Sequence, residues 1–314
     1  MAKKNTPEAP GGRILVTGAS GMIGSGLCNA LIDRGDQVVG LSRNAEKAAQ
    51  SQPTVTWHGW EPTMERPPAE AFDGVDAVIN LAGEPINQRW NDEVKDRIAR
   101  SRIKATKNLV ETMATLEEKP KIFISGSAIG FYGNRGDELL YEDAAPGDDF
   151  LSDVVIKWEE AANAASEFGM RVATIRTGHV LDPRGGLLAE LLTPFKLGVG
   201  GPIGSGKQYM SWIHRHDEIG ILLWALDNEA ANGPINATAP NPVTNKELSK
   251  ALGKAVGRPA IMPIPGFAMK ALRGSEFGQI LTEGQRVYPR FATEHGYEFK
   301  QPEIAGALAN LLRN

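Results

Sequence analysis

Three glycines spaced as in a phosphate-binding turn stand between a predicted strand and a predicted helix. Gly18, Gly21 and Gly24 follow the apolar run 13–17 and open a helical pattern over 22–34. We interpret Gly18 as permitting a tight turn, Gly21 as admitting a pyrophosphate close to the backbone, and Gly24 as letting the helix pack on the strand. Unpaired amides and the positive end of the helix dipole then face an anion. This arrangement predicts dinucleotide binding.

A hydroxyl and a guanidinium follow the second predicted strand, at the position that distinguishes the two nicotinamide dinucleotides. Ser42 and Arg43 come directly after the run 37–41. An acidic residue there would accept hydrogen bonds from the ribose 2′-hydroxyl. A planar guanidinium instead donates two bonds to a phosphate and keeps its charge. The sequence therefore predicts NADP(H) as the cofactor, in preference to NAD; the alternative is an ordinary solvated arginine.

The segment 201–207 has the glycine and lysine spacing of a loop that binds nucleoside triphosphates, but it lacks the metal ligand. Gln208 stands where a serine or threonine would bind magnesium, and a helical pattern precedes the segment where a strand is required. We predict instead a flexible loop over a substrate pocket, in which Lys207 meets an anionic substrate.

His214 and His216 would point to one side of a strand, as paired metal ligands do. No third ligand is evident nearby in the sequence, so we predict no metal site, and we assign Asp217 as the N-cap of the following helix. Trp212 and His214 alternate onto one face. They are candidate walls of the substrate pocket, with packing in the core as the alternative.

Strands and helices alternate along the first 180 residues, and this order positions the residues above. Long helices are predicted near 91–117 and 151–168. Predicted strands lie at 13–17, 37–41, 55–57, 76–82, 121–125 and 171–176. Such alternation predicts an α/β fold with a Rossmann-type, doubly wound parallel sheet. Ligands of open parallel sheets bind at the carboxyl ends of the strands, where the glycine turn and Arg43 lie.

The chain divides into three predicted regions. Residues 1–12 are polar and lack the apolar stretch of a secretory signal, so we predict a disordered leader. An NADP-binding Rossmann domain covers 13–180. Beyond it, glycine- and proline-rich loops separate shorter helices, which predicts a smaller α/β cap on the substrate side over 181–314, partly interleaved with the Rossmann domain.

Composition excludes several classes of partner. With 34 basic and 38 acidic side chains the chain has a net charge of −4, which gives no electrostatic footprint for nucleic acid or an anionic membrane. No apolar run approaches the roughly 18 residues of a membrane span. Cys28 alone cannot form an internal disulfide. We therefore predict a cytoplasmic protein that acts on a small molecule.

Several segments together resemble the extended short-chain dehydrogenase/reductases, the superfamily of nucleotide-sugar epimerases. They are 17–24, 80–83, 125–127 and 132–133. The resemblance is closer to an atypical branch, the nucleoside-diphosphate-sugar epimerase-like proteins. The segments similar to this branch are 80–86, 89–90, 101–102, 147–150, 200–206, 211–214, 236–240 and 242–245. They extend from residue 13 to about 310.

The resemblance implies an NADP(H)-binding Rossmann domain and a substrate-side cap. It places Arg102 at the phosphates or ribose, and Gly178 and Val180 beside the nicotinamide; a surface salt bridge is the alternative for Arg102. The full set of implied cofactor-binding residues is Gly18, Ser20, Gly21, Met22, Ile23, Gly24, Ser42, Arg43, Leu81, Ala82, Gly83, Arg102, Ser125, Gly178 and Val180.

The proton donor that this superfamily ordinarily uses is missing. It is the tyrosine of a Tyr-x-x-x-Lys pair on one helix, where the ammonium lowers the pKa of the phenol. None of the five tyrosines has a lysine four positions later. On the expected helix Asp153 stands in the tyrosine's place before Lys157, which predicts an ordinary ion pair.

Two functional interpretations stay open. In the first, the chain is an epimerase-like oxidoreductase for a small or nucleotide-linked substrate, and Ser127 and Tyr132 form the polar pair at the reacting oxygen. His214 is a further candidate, while a turn hydroxyl and a packed aromatic are the alternatives for Ser127 and Tyr132. In the second, the chain is a catalytically silent sensor or scaffold that binds NADPH. By analogy with the superfamily, a homodimer through the long helices is expected.

Overall fold

A seven-stranded parallel sheet forms the centre of the computed structural model, which describes residues 11–267, 278 and 282–313. Labels follow chain order within these residues. The strands are β1 (Arg13–Thr17), β2 (Gln37–Ser42), β3 (Thr56–Gly59), β4 (Ala77–Asn80), β5 (Ile122–Ala128), β6 (Leu139–Leu140), β7 (Arg171–Thr177), β8 (His179–Leu181), β9 (Tyr209–Met210), β10 (Trp212–His214), β11 (Gly233–Ala237), β12 (Val243–Thr244) and β13 (Arg286–Val287).

Helices cover both faces of this sheet. They are α1 (Met22–Asp33), α2 (Ala45–Ser51), α3 (Asp92–Thr115), α4 (Phe150–Asn163), α5 (Gly186–Lys196), α6 (Arg215–Asp227), α7 (Asn245–Ala255), α8 (Arg290–Glu294) and α9 (Ile304–Leu311). The order of the strands across the sheet is β3-β2-β1-β4-β5-β7-β11, and every neighbouring pair is parallel. The predicted Rossmann-type α/β fold is confirmed.

Alternate residues of the central strands pack on opposite faces of the sheet, as the pleat requires. In β1, Val16 belongs to a core shared with α1 and α6, whereas Leu15 belongs to a core shared with α3 and α4. Both side chains are fully buried. This double burial explains why the strands appear in the sequence as short continuous apolar runs.

The long helix α3 lies within its predicted range of 91–117. Val94, Ile98, Leu109 and Met113 are buried on one face, and Asn91 caps the N-terminus by accepting the backbone N–H of Val94 at 2.8 Å. Through Leu109 and Met113, this face of the helix packs into the core that contains Leu15.

The second half of the chain contributes to both the sheet and the cap. β11 completes the edge of the sheet beside β7, while α5, α7 and α9 enclose a separate small core around Trp212. Pairs β8–β10, β9–β12 and β6–β13 are two-stranded. The boundary at residue 180 stays a prediction. Of the predicted leader, residues 1–10 lie outside the described residues; Gly12 hydrogen-bonds to Asp36.

Within the described ranges, no helix combines the length and the apolar character needed to cross a bilayer.

Candidate functional site

The glycine turn has the geometry that its sequence predicts. Gly18 has a φ of +64°, and a Cβ there would stand 2.7 Å from the carbonyl oxygen of Leu81. A Cβ at Gly24 would stand 2.2 Å from the carbonyl oxygen of Gly18. Both positions therefore exclude a side chain. Gly21 is the N-cap residue of α1 and supplies no side-chain cap, and the first turn holds no acidic residue, so the positive helix end is uncompensated.

A cleft of about 1090 Å³ opens in front of this turn and extends past the end of β2 to α3. Eight of the residues predicted to bind the cofactor line it together. They are Gly18, Ser20, Gly21, Ser42, Arg43, Leu81, Ala82 and Gly83. The topology explains this assembly, because the carboxyl ends of β1, β2 and β4 meet at one edge of the sheet.

A buried hydrogen-bond network ties the end of β4 to the glycine turn. The Thr17 hydroxyl donates to Asn80 Oδ1 at 2.6 Å and accepts the backbone N–H groups of Leu81 and Ala82, each at 3.1 Å. The Asn80 amide in turn donates to the hydroxyl of Ser125, which is fully buried. Ser125 thus stands behind the cleft wall, and its contact with a cofactor stays a prediction.

The end of β2 presents an unpaired cation to the cleft. Arg43 is exposed and forms no ion pair with any residue the structure describes. The hydroxyl of Ser42 accepts the backbone N–H of Asn44 at 3.2 Å, and Asn44 caps α2. The backbone that carries Arg43 is therefore held at both sides, while its guanidinium is free to bind an anion.

Arg102 on α3 lies behind Gly83, a residue of the cleft wall, and does not itself line the cleft. It donates to the carbonyl oxygens of Glu84 and Ile98, and its guanidinium lies 5.4 Å from the ring centre of Trp158. No carboxylate in the described chain pairs with it, so the surface salt bridge considered from the sequence is not present. Burial lowers the pKa of Arg102 to about 10. Burial disfavours the charged guanidinium, and a bound phosphate nearby would stabilise that charge.

Besides Ser125 and Arg102, five predicted cofactor-contact residues do not line the cleft. Met22 and Ile23 pack partly against the core beside α1, and Val180 is buried in that core. Gly178 has no room for a side chain, because a Cβ would stand 2.4 Å from the carbonyl oxygen of Ser211. Gly24 likewise packs inward. The cofactor contacts of these residues stay predictions.

Ser127 and Tyr132 are brought together in one buried cluster around Arg176. The Ser127 hydroxyl donates to Glu159 Oε1 at 2.5 Å, and both Glu159 carboxylate oxygens bind the Arg176 guanidinium at 2.8 Å. The Tyr132 hydroxyl donates to Asn236 Oδ1 at 2.6 Å and accepts from Arg176 at 3.0 Å.

This cluster holds both hydroxyls away from the cleft. Tyr132 is fully buried and Ser127 is 4% exposed. Burial raises the pKa of Tyr132 to about 12, the reverse of the lowered pKa that proton transfer needs. The geometry favours a structural role for both residues, and their catalytic assignment stays an untested prediction.

The residues predicted to form the substrate pocket differ in burial and in hydrogen-bond partners. Trp212 is fully buried and donates from Nε1 to the carbonyl oxygen of Asn241 at 3.1 Å. His214 is buried, contacts Asn310 through Nε2, and through Nδ1 accepts the N–H of His216 as the N-cap of α6. Lys207 is exposed. Core packing is what the structure shows for Trp212 and His214.

The assignment of Asp217 as the N-cap of α6 is wrong. Its carboxylate is fully buried and accepts the backbone N–H groups of Lys300 and Gln301, at 2.8 and 2.9 Å. Asp217 therefore anchors the C-terminal segment. Across the part of the chain that the structure describes, no three His, Cys, Asp or Glu side chains group as metal ligands would.

Comparison with known proteins places this site in a family. Residues 14–237 match the model of the NAD dependent epimerase/dehydratase family, and residues 264–311 match a domain of unknown function. The chain belongs to the NAD dependent epimerase/dehydratase family. The match covers the glycine turn, the end of β2, α3 and the Arg176 cluster.

Relatives of this family are similar over nearly the whole chain. The chain is 38% identical to the chloroplastic epimerase family protein SDR39U1 homolog of Arabidopsis thaliana, over 96% of this chain and 86% of the relative. It is 36% identical to epimerase family protein YfhF of Bacillus subtilis, over 95% and 97%. The crystal structure of human epimerase family protein SDR39U1 with NADPH matches with a TM-score of 0.85 and 35% identity, over 96% and 99%.

This epimerase/dehydratase-family chain carries an ion pair where the superfamily's usual tyrosine and lysine are expected. Lys157 Nζ lies 2.7 Å from Asp153 Oδ2 on α4, and both side chains are more than half exposed. Lys157 borders an outer groove between α3 and α4, away from the cleft. The predicted ion pair is confirmed.

Two features of this family member were missed from the sequence. Lys47 lines the cleft together with Arg43. Its position four residues after Arg43, in the first turn of a short helix, was the available signal. His179 lies between Gly178 and Val180, partly exposed, and its ring accepts or donates no hydrogen bond within the described residues. Burial lowers the pKa of His179 to about 4, so the imidazole is neutral at pH 7.

Proposed function

We propose that this chain binds NADP(H) in the cleft between the glycine turn, the end of β2 and the end of β4. The observation that carries the proposal is the pairing of an uncapped α1 N-terminus with an unpaired Arg43 in one cleft. The first suits a pyrophosphate and the second suits a 2′-phosphate. The NADPH in the human relative's structure supports the same cofactor.

The residues present fit such a cofactor. Gly18 and Gly21 carry no side chain that could block the turn, and no carboxylate of the described residues forms an ion pair with the half-buried Arg102. Ser42 and Arg43 would hold the phosphate on the adenosine ribose. Leu81, Ala82 and Gly83 form the opposite wall. NADPH supplies a hydride when bound, and the residues of this chain bind and orient it.

We propose further that the chain is an oxidoreductase of the epimerase-like type, acting on a small or nucleotide-linked carbonyl or hydroxyl compound. Family membership supports this reaction class. The proposal does not use Tyr132 as the proton donor, because its hydroxyl is already bonded to Asn236 and Arg176.

A second candidate function is a catalytically silent sensor or scaffold that binds NADPH. Two observations favour it. The position of the usual tyrosine holds Asp153, paired with Lys157, and the hydroxyls of Ser127 and Tyr132 are enclosed in the Arg176 cluster. A protein with these features keeps the cofactor cleft and lacks the usual proton donor.

One assay separates the two candidates. The full chain is incubated with NADPH and a panel of carbonyl and nucleotide-sugar compounds, and the absorbance of reduced nicotinamide is followed. Oxidation of NADPH with one of the compounds supports the oxidoreductase. Tight NADPH binding without turnover of any compound supports the silent sensor, and absence of NADPH binding contradicts both.

The outer groove between α3 and α4 supports a homodimer as the partner proposal. It has a volume of about 640 Å³, and apolar residues line much of it, among them Ile103, Val110, Ala161 and Phe168. Phe168 contributes an exposed apolar ring to this groove, with 41% of its surface accessible.

We also propose a cytoplasmic location, because Cys28 is buried and has no disulfide partner.

A further inference from the structure

Two cations stand together on the α2 side of the cleft. Arg43 follows β2, and Lys47 lies in the first turn of α2, four residues later. Both side chains are exposed, and both line the cleft. Neither forms an ion pair with any residue in the described ranges, so the positive charge of both is available to a ligand.

The backbone beneath Lys47 is fixed. Asn44 Oδ1 accepts the backbone N–H of Lys47 at 2.9 Å as the cap of α2, and the hydroxyl of Ser51 donates to the carbonyl oxygen of Lys47 at 3.3 Å. Ser42 holds Asn44 in turn. A single continuous turn therefore sets the positions from which Arg43 and Lys47 extend.

The cations on the opposite wall are already neutralised. Arg97 pairs with Glu93 at 2.9 Å and with Glu84 at 3.8 Å, and Arg100 pairs with Asp96 at 3.5 Å. The α3 wall of the cleft thus balances its own charges. Arg43 and Lys47 are thus the cleft-lining cations that form no ion pair with a described carboxylate.

A phosphate monoester carries a charge of about −1.5 to −2 at pH 7, so one guanidinium leaves it only partly neutralised. An arginine supplies a planar fork, whereas a lysine supplies a mobile point charge that reaches a different oxygen. An arginine and a lysine four residues apart can together neutralise the two negative charges of a phosphate dianion.

We propose that Lys47 is a second ligand of the 2′-phosphate of NADP(H) and determines cofactor specificity together with Arg43. This inference rests on the proposed function, in which NADP(H) occupies the cleft. It adds a residue that binds only the phosphate distinguishing the two coenzymes. Loss of Lys47 therefore weakens NADPH binding and leaves NADH binding unchanged.

The test compares dissociation constants for NADPH and NADH, measured by calorimetric titration of the full chain and its Lys47→Ala variant. We expect the NADPH constant to rise about three- to fivefold and the NADH constant to change less than about twofold, since an exposed ion pair contributes up to about 1 kcal/mol. Lys47→Arg restores most of the NADPH affinity. Lys250→Ala, at an exposed position of α7 outside the cleft, is the control and changes neither constant.

The outcomes separate this inference from the proposed function. If the parent chain binds no NADPH, the proposed function fails. If the parent binds NADPH and Lys47→Ala leaves the ratio of the two constants unchanged, the proposed function stands and Lys47 has no role in specificity. An equal loss for both coenzymes also overturns the inference, because it indicates a disturbed α2 instead of a lost phosphate contact.

Discussion

At the scale of single residues, the cleft depends on glycines, which have no Cβ atom. Gly18 and Gly24 leave no space for a Cβ, and this close approach of backbones brings β1, α1 and the end of β4 to one point. Spacing in the sequence was enough to predict these positions. It was not enough to predict which hydroxyls face the cleft, because Ser125, Ser127 and Tyr132 turn inward to partners that are distant in the sequence.

Replacing Gly18 by alanine tests the close approach. Gly35 offers a matched control, since it has a φ of +96° but nothing within 4 Å of its would-be Cβ. Both variants carry the strain of a positive φ, about 1 kcal/mol. Gly18→Ala meets the carbonyl oxygen of Leu81 in addition, so we expect it to lower the free energy of unfolding by roughly 1–3 kcal/mol more. Urea denaturation measures both; equal losses would contradict the account.

Glu218 predicts a pH dependence of stability. It is almost fully buried, Thr177 donates to one carboxylate oxygen at 2.8 Å, and the other has no partner within the described residues. Burial raises its pKa to about 7 from an ordinary value of 4.5. Between these two pKa values the folded chain binds more protons than the unfolded chain. Protonation of Glu218 therefore contributes fully to the free energy of unfolding below pH 4.5, and this contribution is lost as the pH rises through 7.

The variant Glu218→Gln removes this dependence. We expect it to gain stability relative to the parent between pH 5 and pH 8, because the amide resembles the protonated acid and carries no charge. Chemical denaturation of both chains at each pH gives the difference, and Glu117→Gln at an exposed position is the control. A difference that is the same at pH 5 and pH 8 would show that Glu218 does not titrate in this range.

At the scale of elements, the sequence predicts regular structure better than termini and edges. The predicted boundaries of α3, near 91–117, agree with the observed Asp92–Thr115. The cap of α6 was assigned to Asp217, but that carboxylate binds the backbone near Lys300. Its partner lies more than 80 residues away, and no local pattern reveals such a contact.

Helix α4 provides a test of the missing proton donor. Because Lys157 is exposed and bonded to Asp153, its replacement by alanine should change the free energy of unfolding by less than about 0.5 kcal/mol. We also expect the NADPH dissociation constant to stay the same. If Lys157→Ala abolished NADPH binding, Lys157 would reach the cofactor as the lysine of the usual pair does, and the position of α4 described here would be wrong.

At the scale of the whole molecule, the parallel sheet brings distant segments to one edge, and the outer faces of α3 and α4 remain available. The alternation of strands and helices predicted this architecture. The return of β11 to the sheet from beyond residue 230 depends on contacts with β7 that periodicity does not encode. The cleft and the outer groove share no lining residue, so cofactor binding and self-association can be tested separately.

The variant Phe168→Glu tests self-association through the outer groove. A charge at this exposed apolar position should shift the chain towards the monomer in analytical ultracentrifugation, because an unpaired carboxylate is costly to bury in an interface. The variant should bind NADPH like the parent. Leu197→Glu, at an exposed leucine on another surface, is the control. A parent that sediments as a monomer at all concentrations would contradict the proposed homodimer.

The central claim is that the uncapped end of α1 and the free guanidinium of Arg43 together bind NADP(H). Calorimetric titration of the parent chain and of Arg43→Ala with NADPH and NADH tests it most directly. We predict that the parent binds NADPH at least about tenfold more tightly than NADH, and that Arg43→Ala loses most of this preference while keeping its affinity for NADH. Absence of binding to either coenzyme, or a preference that Arg43→Ala leaves intact, would contradict the account.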